Sequence, residues 1–161
     1  MSLVSILEHG RRDFVEATSG VTSDVRPRSG WSVLECIEHV IIAEERYLSW
    51  LRNGTPVEPR RDSEKELRLF AIARSRLEKR ETPEPFRPIG RFKSIEAALA
   101  GFNELRDRSV QAVRDIGDGI YSVAATHPRF GEMNGAEVVQ LMDAHARRHS
   151  EQVREILEAA D

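Results

Sequence analysis

Apolar residues recur at spacings of three and four along most of the chain, which is the pattern of amphipathic helices. No stretch bounded by turn residues alternates between apolar and polar positions as a half-buried strand does. The first helix is predicted at about residues 3–18, where Leu7 and Phe14 lie among the apolar positions. A polar loop over residues 18–30 is predicted to follow. The pattern as a whole predicts an all-α protein.

The second predicted helix begins with a capping box, in which Ser32 and Glu35 satisfy each other's free backbone N–H groups. The helix continues to Asn53 and Gly54, and the glycine is expected to supply the left-handed turn that often ends a helix. Apolar residues cover most of the circumference of this helix. The sequence therefore predicts one long helix between these two signals.

A shorter helix is predicted between the second and third long helices. A capping box of Ser63 and Glu66 is expected to start it, and it is expected to end before Pro83. Its apolar positions are Leu67, Phe70, Ala71 and Leu77. We interpret this segment as an excursion of the chain between two helices of a bundle.

The third long helix begins after its predicted N-cap, Ser94, and ends at Gly117 and Gly119. Its apolar seam includes Phe102 and Leu105. Another loop, which contains a proline and a glycine, is predicted to follow this helix.

The fourth long helix begins near Asn134 or Gly135 and continues to the C-terminus. Four long helices and one short helix predict a four-helix bundle with a long crossover that contains the extra helix. The 161 residues fit one domain, and no internal repeat divides them. We therefore predict a single helical-bundle domain over residues 1–161.

Composition and charge exclude several classes of function. The 24 basic and 27 acidic residues give a net charge of −3, and the scattered basic pairs argue against a nucleic-acid partner. No apolar run reaches the roughly 20 residues of a membrane span, and the N-terminus lacks the features of a signal peptide. The single cysteine, Cys36, is expected to be a buried thiol in a reducing compartment. We therefore expect a cytoplasmic protein without a membrane partner.

The last helix carries the most informative polar pair of the chain. His145 and His149 are one turn apart and lie within the apolar face of that helix. Two imidazoles at this spacing can bind one metal ion, but they can also be core histidines held by hydrogen bonds. The charged residues of this helix that are predicted to point elsewhere are Arg147, Arg148, Glu151, Arg154 and Glu155.

A metal site needs a third protein ligand, and the candidates are His9, His39, His127 or a carboxylate. His39 lies on the second long helix, beside Cys36, and could face the bundle interior. The strongest apolar positions of this helix lie on roughly the opposite side, so the pattern also allows His39 to be a surface residue. Spacing alone leaves both alternatives open.

Three motifs occur along the chain. They are Trp31-Ser32-x-x-Glu35-x-x-x-His39, His127-Pro128-x-Phe130-Gly131 and His145-x-x-Arg148-His149-x-x-Gln152. Together with the helix count and the long crossover, they resemble the DinB-like superfamily, which is named after damage-inducible bacterial proteins. The resemblance spans nearly the whole chain and implies a single DinB-like bundle over residues 1–161.

The resemblance also implies a metal site. In this superfamily one histidine of the second helix and two of the fourth bind a divalent metal, and the matching positions are His39, His145 and His149. Three imidazoles accept zinc, nickel, iron or manganese, so the identity of the metal stays open. Members with known activity resemble thiol S-transferases that use bacillithiol, mycothiol or a related small thiol, and some isomerise maleylpyruvate. Members often form homodimers.

The activity implied by the resemblance is the metal-dependent transfer of a small thiol to a small electrophilic substrate. The alternatives are a metal-dependent hydrolase and a non-catalytic, stress-related bundle that binds a metal or a small molecule. Access to the metal discriminates between these classes. A catalytic site keeps an open coordination position, whereas a structural site is closed by a fourth protein ligand.

Five other residues of the motifs have alternative roles. Gln152 is expected to contact substrate, to orient a metal ligand or to bond to another helix. Glu35 is assigned to its capping box. His127 could lie at the mouth of the site, but an ordinary turn or surface histidine is favoured. Trp31 and Phe130 are predicted to anchor loops against the core.

Overall fold

The computed structural model describes residues 1–160, and this part of the chain is predominantly helical. Among these residues, no helix combines the length and apolar character that crossing a membrane requires. The elements are α1 (Leu3–Thr18), α2 (Val33–Asn53), β1 (Thr55–Pro56), α3 (Ser63–Arg74), α4 (Ile95–Ile116), β2 (Val123–His127), β3 (Gly131–Asn134) and α5 (Gly135–Ala160). Single 3₁₀ segments lie at Glu84–Phe86 and Gly117–Ser122.

The four long helices α1, α2, α4 and α5 form a bundle. Both α1 and α2 pack against α4 and α5, so each long helix has two long neighbours. Phe14, Ile37 and Phe102, from three different helices, are fully buried among them. The shorter α3 packs against α5. The predicted all-α bundle with an extra helix in its crossover is confirmed.

Short-range caps start two of the long helices at the predicted residues. The Ser32 side chain accepts from the backbone N–H of Glu35, and the Glu35 carboxylate accepts from the backbone N–H of Ser32 at 2.8 Å. Ser94 accepts from the backbone N–H of Ala97. These bonds satisfy donors that have no partner inside the helix, so they determine where the helix begins.

The prediction for α3 is wrong in two details. Its N-cap is Asp62 and not Ser63, because the Asp62 carboxylate accepts from the backbone N–H of Lys65 at 2.9 Å. The helix also ends at Arg74, so that Leu77 lies beyond it and is 96% exposed. The residues that α3 buries are Glu66, Leu69 and Ala73.

A small antiparallel sheet replaces most of the loop that was expected between α4 and α5. Strand β2 pairs with β1 and β3, with Thr55 opposite Ala124 and Ala125 opposite Met133. Gly131 has a φ of 72° at the turn between β2 and β3. The prediction of a loop here is wrong for β2 and β3. The signal was missing because strands of two, five and four residues are too short to show alternation.

Gly54 has a different role from the predicted one. Its φ of −67° is not left-handed, so it does not end α2 by the expected turn. A Cβ here would lie 2.5 Å from Cγ2 of Val123 and 2.7 Å from the carbonyl oxygen of Trp50. Glycine is therefore required because β2 approaches the end of α2 closely. Gly117 does end α4 with a positive φ, of 57°.

The crossover between α2 and α4 is attached to α2 by one buried carboxylate. Glu38 is 2% exposed and accepts hydrogen bonds from the backbone N–H groups of Ile89, Gly90 and Arg91. These bonds hold the later part of the crossover, including the nearby Phe86, against the helix that carries the candidate site.

Candidate metal centre

His39, His145 and His149 come together between α2 and α5. His145 and His149 project from one side of α5 because they are one turn apart. His39 on α2 is 5% exposed. Since α2 packs against both α4 and α5, a residue opposite its strongest apolar positions still faces the interior. Of the two alternatives that the sequence leaves open for His39, the interior position is correct.

The three imidazoles direct nitrogen atoms at one another. Nε2 of His145 lies 3.0 Å from Nε2 of His39 and 3.2 Å from Nε2 of His149. One nitrogen from each ring lies within 4.8 Å of the other two. Zinc–nitrogen bonds of about 2.0–2.1 Å in a tetrahedral site place ligand nitrogens roughly 3.3 Å apart. The spacing therefore suits three ligands of one ion.

Hydrogen bonds at the other ring nitrogens determine two of the tautomers. Nδ1 of His39 lies 2.6 Å from the carbonyl oxygen of Phe86, and Nδ1 of His149 lies 2.8 Å from Oε1 of Gln152. A carbonyl oxygen only accepts, so both Nδ1 atoms carry the proton. In the neutral rings, Nε2 of His39 and of His149 therefore each present a lone pair to the centre of the cluster.

Hydrogen bonding within the cluster cannot satisfy all three nitrogens. Nε2 of His145 can carry one proton, and it can donate that proton to His39 or to His149 but not fully to both. One buried lone pair is then left without a donor from the three rings. A divalent cation would accept a lone pair from each ring. The donor set fits a metal better than it fits a group of hydrogen-bonded core histidines.

Burial keeps these histidines neutral, which is the form that binds metals. Burial lowers the pKa of His39 below its usual value. Burial also lowers the pKa of His145 and of His149 well below 6.5, and the positive charge of neighbouring rings and of Arg148 adds to the effect. No proton therefore has to be displaced from the imidazolium form near neutral pH.

A cavity of about 770 Å³ is lined by all three histidines. Its walls also include Trp31, whose ring centroid lies 4.7 Å from that of His39, and Phe130 from the β2–β3 turn. Both aromatic residues pack against the core, as predicted, and they line the cavity as well. The volume is in the range of small-molecule sites.

Of the other residues considered for the site, Gln152 and His127 line the cavity, whereas Glu35 and Cys36 do not. Gln152 contacts His149, which matches the ligand-orienting alternative, and it also lines the cavity. His127 lines the cavity too, and its Nδ1 accepts from two backbone N–H groups of its own turn. Glu35 is in its capping box. Cys36 is fully buried, which raises the pKa of its thiol to about 12, and it is not part of the histidine cluster.

Sequence reasoning missed three contributors to the site, two side chains and one backbone carbonyl. The expectation that Arg148 and Glu155 point elsewhere is wrong, because both line the cavity and Arg148 is 6% exposed. The available signal was that Arg148 follows His145 by three residues and so shares its side of the helix. The Phe86 carbonyl had no signal at all, since a backbone oxygen is placed by the path of the chain.

The family model of the DinB superfamily matches residues 6–153 of this chain. The matched segment includes the four long helices for most of their length and all three histidines of the cluster. No curated protein and no solved structure shows a significant match.

Proposed function

Because this chain belongs to the DinB superfamily, and because its three clustered histidines suit a cation, we propose that it is a metal-dependent enzyme. The proposed ligands are His39, His145 and His149. The proposed ion is a divalent one, which could be zinc, nickel, iron or manganese. The proposed reaction is the transfer of a small thiol to a small electrophile.

One observation carries the metal proposal. Two of the three Nε2 atoms present lone pairs to a shared point because Phe86 and Gln152 hold the opposite nitrogens as donors. Metal-binding histidines usually donate their second N–H to a carbonyl or carboxylate, and this partner orients the ring. In this protein, Nδ1 of His39 and Nδ1 of His149 each have such a carbonyl partner.

The cavity supports a catalytic site over a closed structural one. A structural zinc site commonly has four protein ligands, whereas a catalytic site has three and leaves a position for water or substrate. The cluster contains three histidines, and the cavity gives a small molecule access to them. The fully buried Cys36, which is the residue most able to close such a site, packs in the hydrophobic core instead.

The proposed transfer needs a nucleophilic sulfur and a place beside it for the electrophile. A divalent ion bound by three neutral imidazoles would supply the Lewis acidity that lets a thiol lose its proton near neutral pH. The thiol proton would pass to solvent water. The thiolate sulfur would form a bond to the electrophilic carbon, and the bond from that carbon to the leaving group would break with its electron pair on the leaving group. Trp31, Phe86 and Phe130 line the cavity with aromatic surface, against which the apolar part of a substrate would pack.

Elemental analysis of protein purified without chelators or a metal-affinity tag tests the proposal. We expect close to one divalent ion per chain in the wild type and loss of that ion in His145→Ala. His9→Ala is the matched control, because His9 is an exposed histidine of α1 outside the cluster. Wild-type protein that cannot be loaded with any divalent ion, or equal metal in His145→Ala, would contradict the metal site.

The transfer itself is tested separately, with the metal-loaded protein, a panel of small thiols and a chromogenic aryl chloride. We expect thiol consumption that disappears after chelation and returns on reloading. A loaded protein that consumes none of the thiols of the panel with this electrophile would favour the binding-protein alternative.

A further inference from the structure

Apart from the neutral histidines, the side chains that line the cavity carry a net positive charge. Its acidic lining residues are Glu81 and Glu155, and its basic ones are Arg76, Lys79, Arg80, Arg87, Arg129 and Arg148. Both acids are already in ion pairs, Glu155 with Arg76 at 2.8 Å and Glu81 with Arg87 at 3.5 Å. Within residues 1–160, the other four cations have no carboxylate at ion-pair distance.

Arg148 is the most unusual of these four. Its side chain is buried at 6% exposure, and its Nη2 donates to the carbonyl oxygen of Glu78 at 2.9 Å. Its Nη1 is also buried and has no acceptor in the described part of the chain. A buried charge with an unused donor is costly unless a partner of opposite charge compensates it. The cavity is the place from which such a partner could reach it.

A second guanidinium reaches the same cavity from the crossover. Nη2 of Arg80 donates to the carbonyl oxygen of Ile72 at 2.7 Å, while its buried Nε has no acceptor among residues 1–160. The two groups are close enough for the charge of Arg80 to act on Arg148. Burial and the positive charges of Arg80, Arg76 and Arg129 lower the pKa of Arg148 to about 10.

The same charge lies close to the histidines. Arg148 directly precedes His149, and its charge contributes to the lowered pKa of all three clustered histidines. Three neutral imidazoles would leave the charge of a divalent ion uncompensated. The geometry thus places two guanidinium groups and a candidate dication around one small cavity, so the molecule that fills it should carry negative charge.

We propose that Arg148 and Arg80 form an oxyanion subsite, which binds a carboxylate or phosphate group on the small thiol that the enzyme uses. Guanidinium groups suit both oxyanions because their N–H donors form a planar fork. The inference rests on the proposed metal centre, since the thiol end of the same molecule would reach the histidine cluster. The subsite would select among small thiols by charge.

The test compares 3-mercaptopropionate with its methyl ester on cobalt-loaded protein. Each thiol is titrated, and the near-ultraviolet absorption of a cobalt–sulfur bond reports its binding. We expect the acid to bind at least about tenfold more tightly than the ester, because charge-assisted hydrogen bonds contribute at this level. Acetate or inorganic phosphate, as competitors, should displace the acid, and the stronger competitor identifies the preferred oxyanion.

The variants separate the subsite from chelation of cobalt by the carboxylate itself. In Arg148→Gln and in Arg80→Gln the preference for the acid should fall several-fold, with unchanged cobalt content. Arg74→Gln removes an exposed arginine of α3 outside the cavity and should keep the wild-type preference. If Arg148→Gln does not fold, the preference measured in Arg80→Gln alone decides whether the subsite exists.

Two failures are distinguishable. Equal binding of acid and ester, or a preference for the acid that survives both substitutions, would overturn the subsite. The metal centre would still be supported in that case if the bound ester gives the absorption band of a cobalt–sulfur bond. Protein that takes up no cobalt would instead contradict the proposed function.

Discussion

Each of two histidines in the cluster is held by a different kind of partner. Phe86 holds His39 through a backbone oxygen, which no side-chain substitution removes, and Gln152 holds His149 through its side-chain amide. The amide oxygen accepts the Nδ1 proton and so keeps Nε2 of His149 free for a metal. We therefore predict that Gln152 is a positioning residue for the proposed metal site.

Replacing Gln152 should weaken the site without removing a ligand. In Gln152→Ala we expect metal affinity to fall by about 10–100-fold, the usual effect of losing a partner that orients a metal-bound histidine. Competition with a chromophoric chelator measures the metal affinity of each variant. Gln152→Glu keeps an acceptor and should retain at least wild-type affinity. An alanine variant with wild-type affinity would show that the hydrogen bond does not position the ring.

At the scale of elements, the crossover completes a site that the bundle alone leaves open. Helices α2 and α5 carry the histidines, but the carbonyl that holds His39 and the guanidinium of Arg80 come from the segment between α3 and α4. Glu38 attaches this segment to α2 through three backbone N–H groups. One carboxylate thus couples the path of the crossover to the geometry of the site.

Removing that carboxylate should release the crossover while the bundle stays folded. In Glu38→Ala we expect faster amide hydrogen exchange over residues 84–91 and weaker metal binding, because Phe86 is no longer held beside His39. Exchange in α4 should not change. Glu104→Ala, at an exposed glutamate of α4, is the control. Unchanged exchange in residues 84–91 would mean that other contacts hold the crossover.

At the scale of the whole molecule, the site couples stability to pH. Burial lowers the pKa of His39, His145 and His149 in the metal-free protein. Well above pH 6.5, the usual pKa of histidine, these groups are neutral in both the folded and the unfolded chain. Below it, the unfolded chain takes up protons that the folded chain does not, so the free energy of unfolding falls with falling pH.

Chemical denaturation of the metal-free protein at pH 7.5 and 5.5 measures this coupling. Each buried histidine should lower the free energy of unfolding by up to about 1.4 kcal/mol per pH unit. His145→Gln, with one buried imidazole fewer, should lose less stability over the same interval. Burial raises the pKa of Asp143, which acts in the opposite direction but equally in both proteins. Identical losses would show that His145 is not coupled to folding.

Two properties of the whole protein stay predictions. The resemblance to the DinB-like superfamily implies a homodimer, and the composition and the single cysteine favour the cytoplasm. The mass of the protein in solution tests the first of these.

Much of the fold was predictable because its signals are local. A capping box acts over three residues, and the spacing of His145 and His149 places both rings on one side of α5 whatever α5 packs against. The sheet was not predictable in the same way. Its strands pair residues as distant as Thr55 and Ala124, and their short length leaves no alternating pattern.

The sequence by itself determined the helices, most of their ends and the metal-binding potential of the last helix, since each depends on residues within a few turns of one another. Only the tertiary structure decided that α2 is buried on both sides, against α4 and α5, and therefore that His39 joins His145. It also placed the Phe86 carbonyl and the Arg80 side chain at the cavity. These contacts join segments about 50 to 100 residues apart, and no local pattern encodes such distances because they follow from how the helices pack.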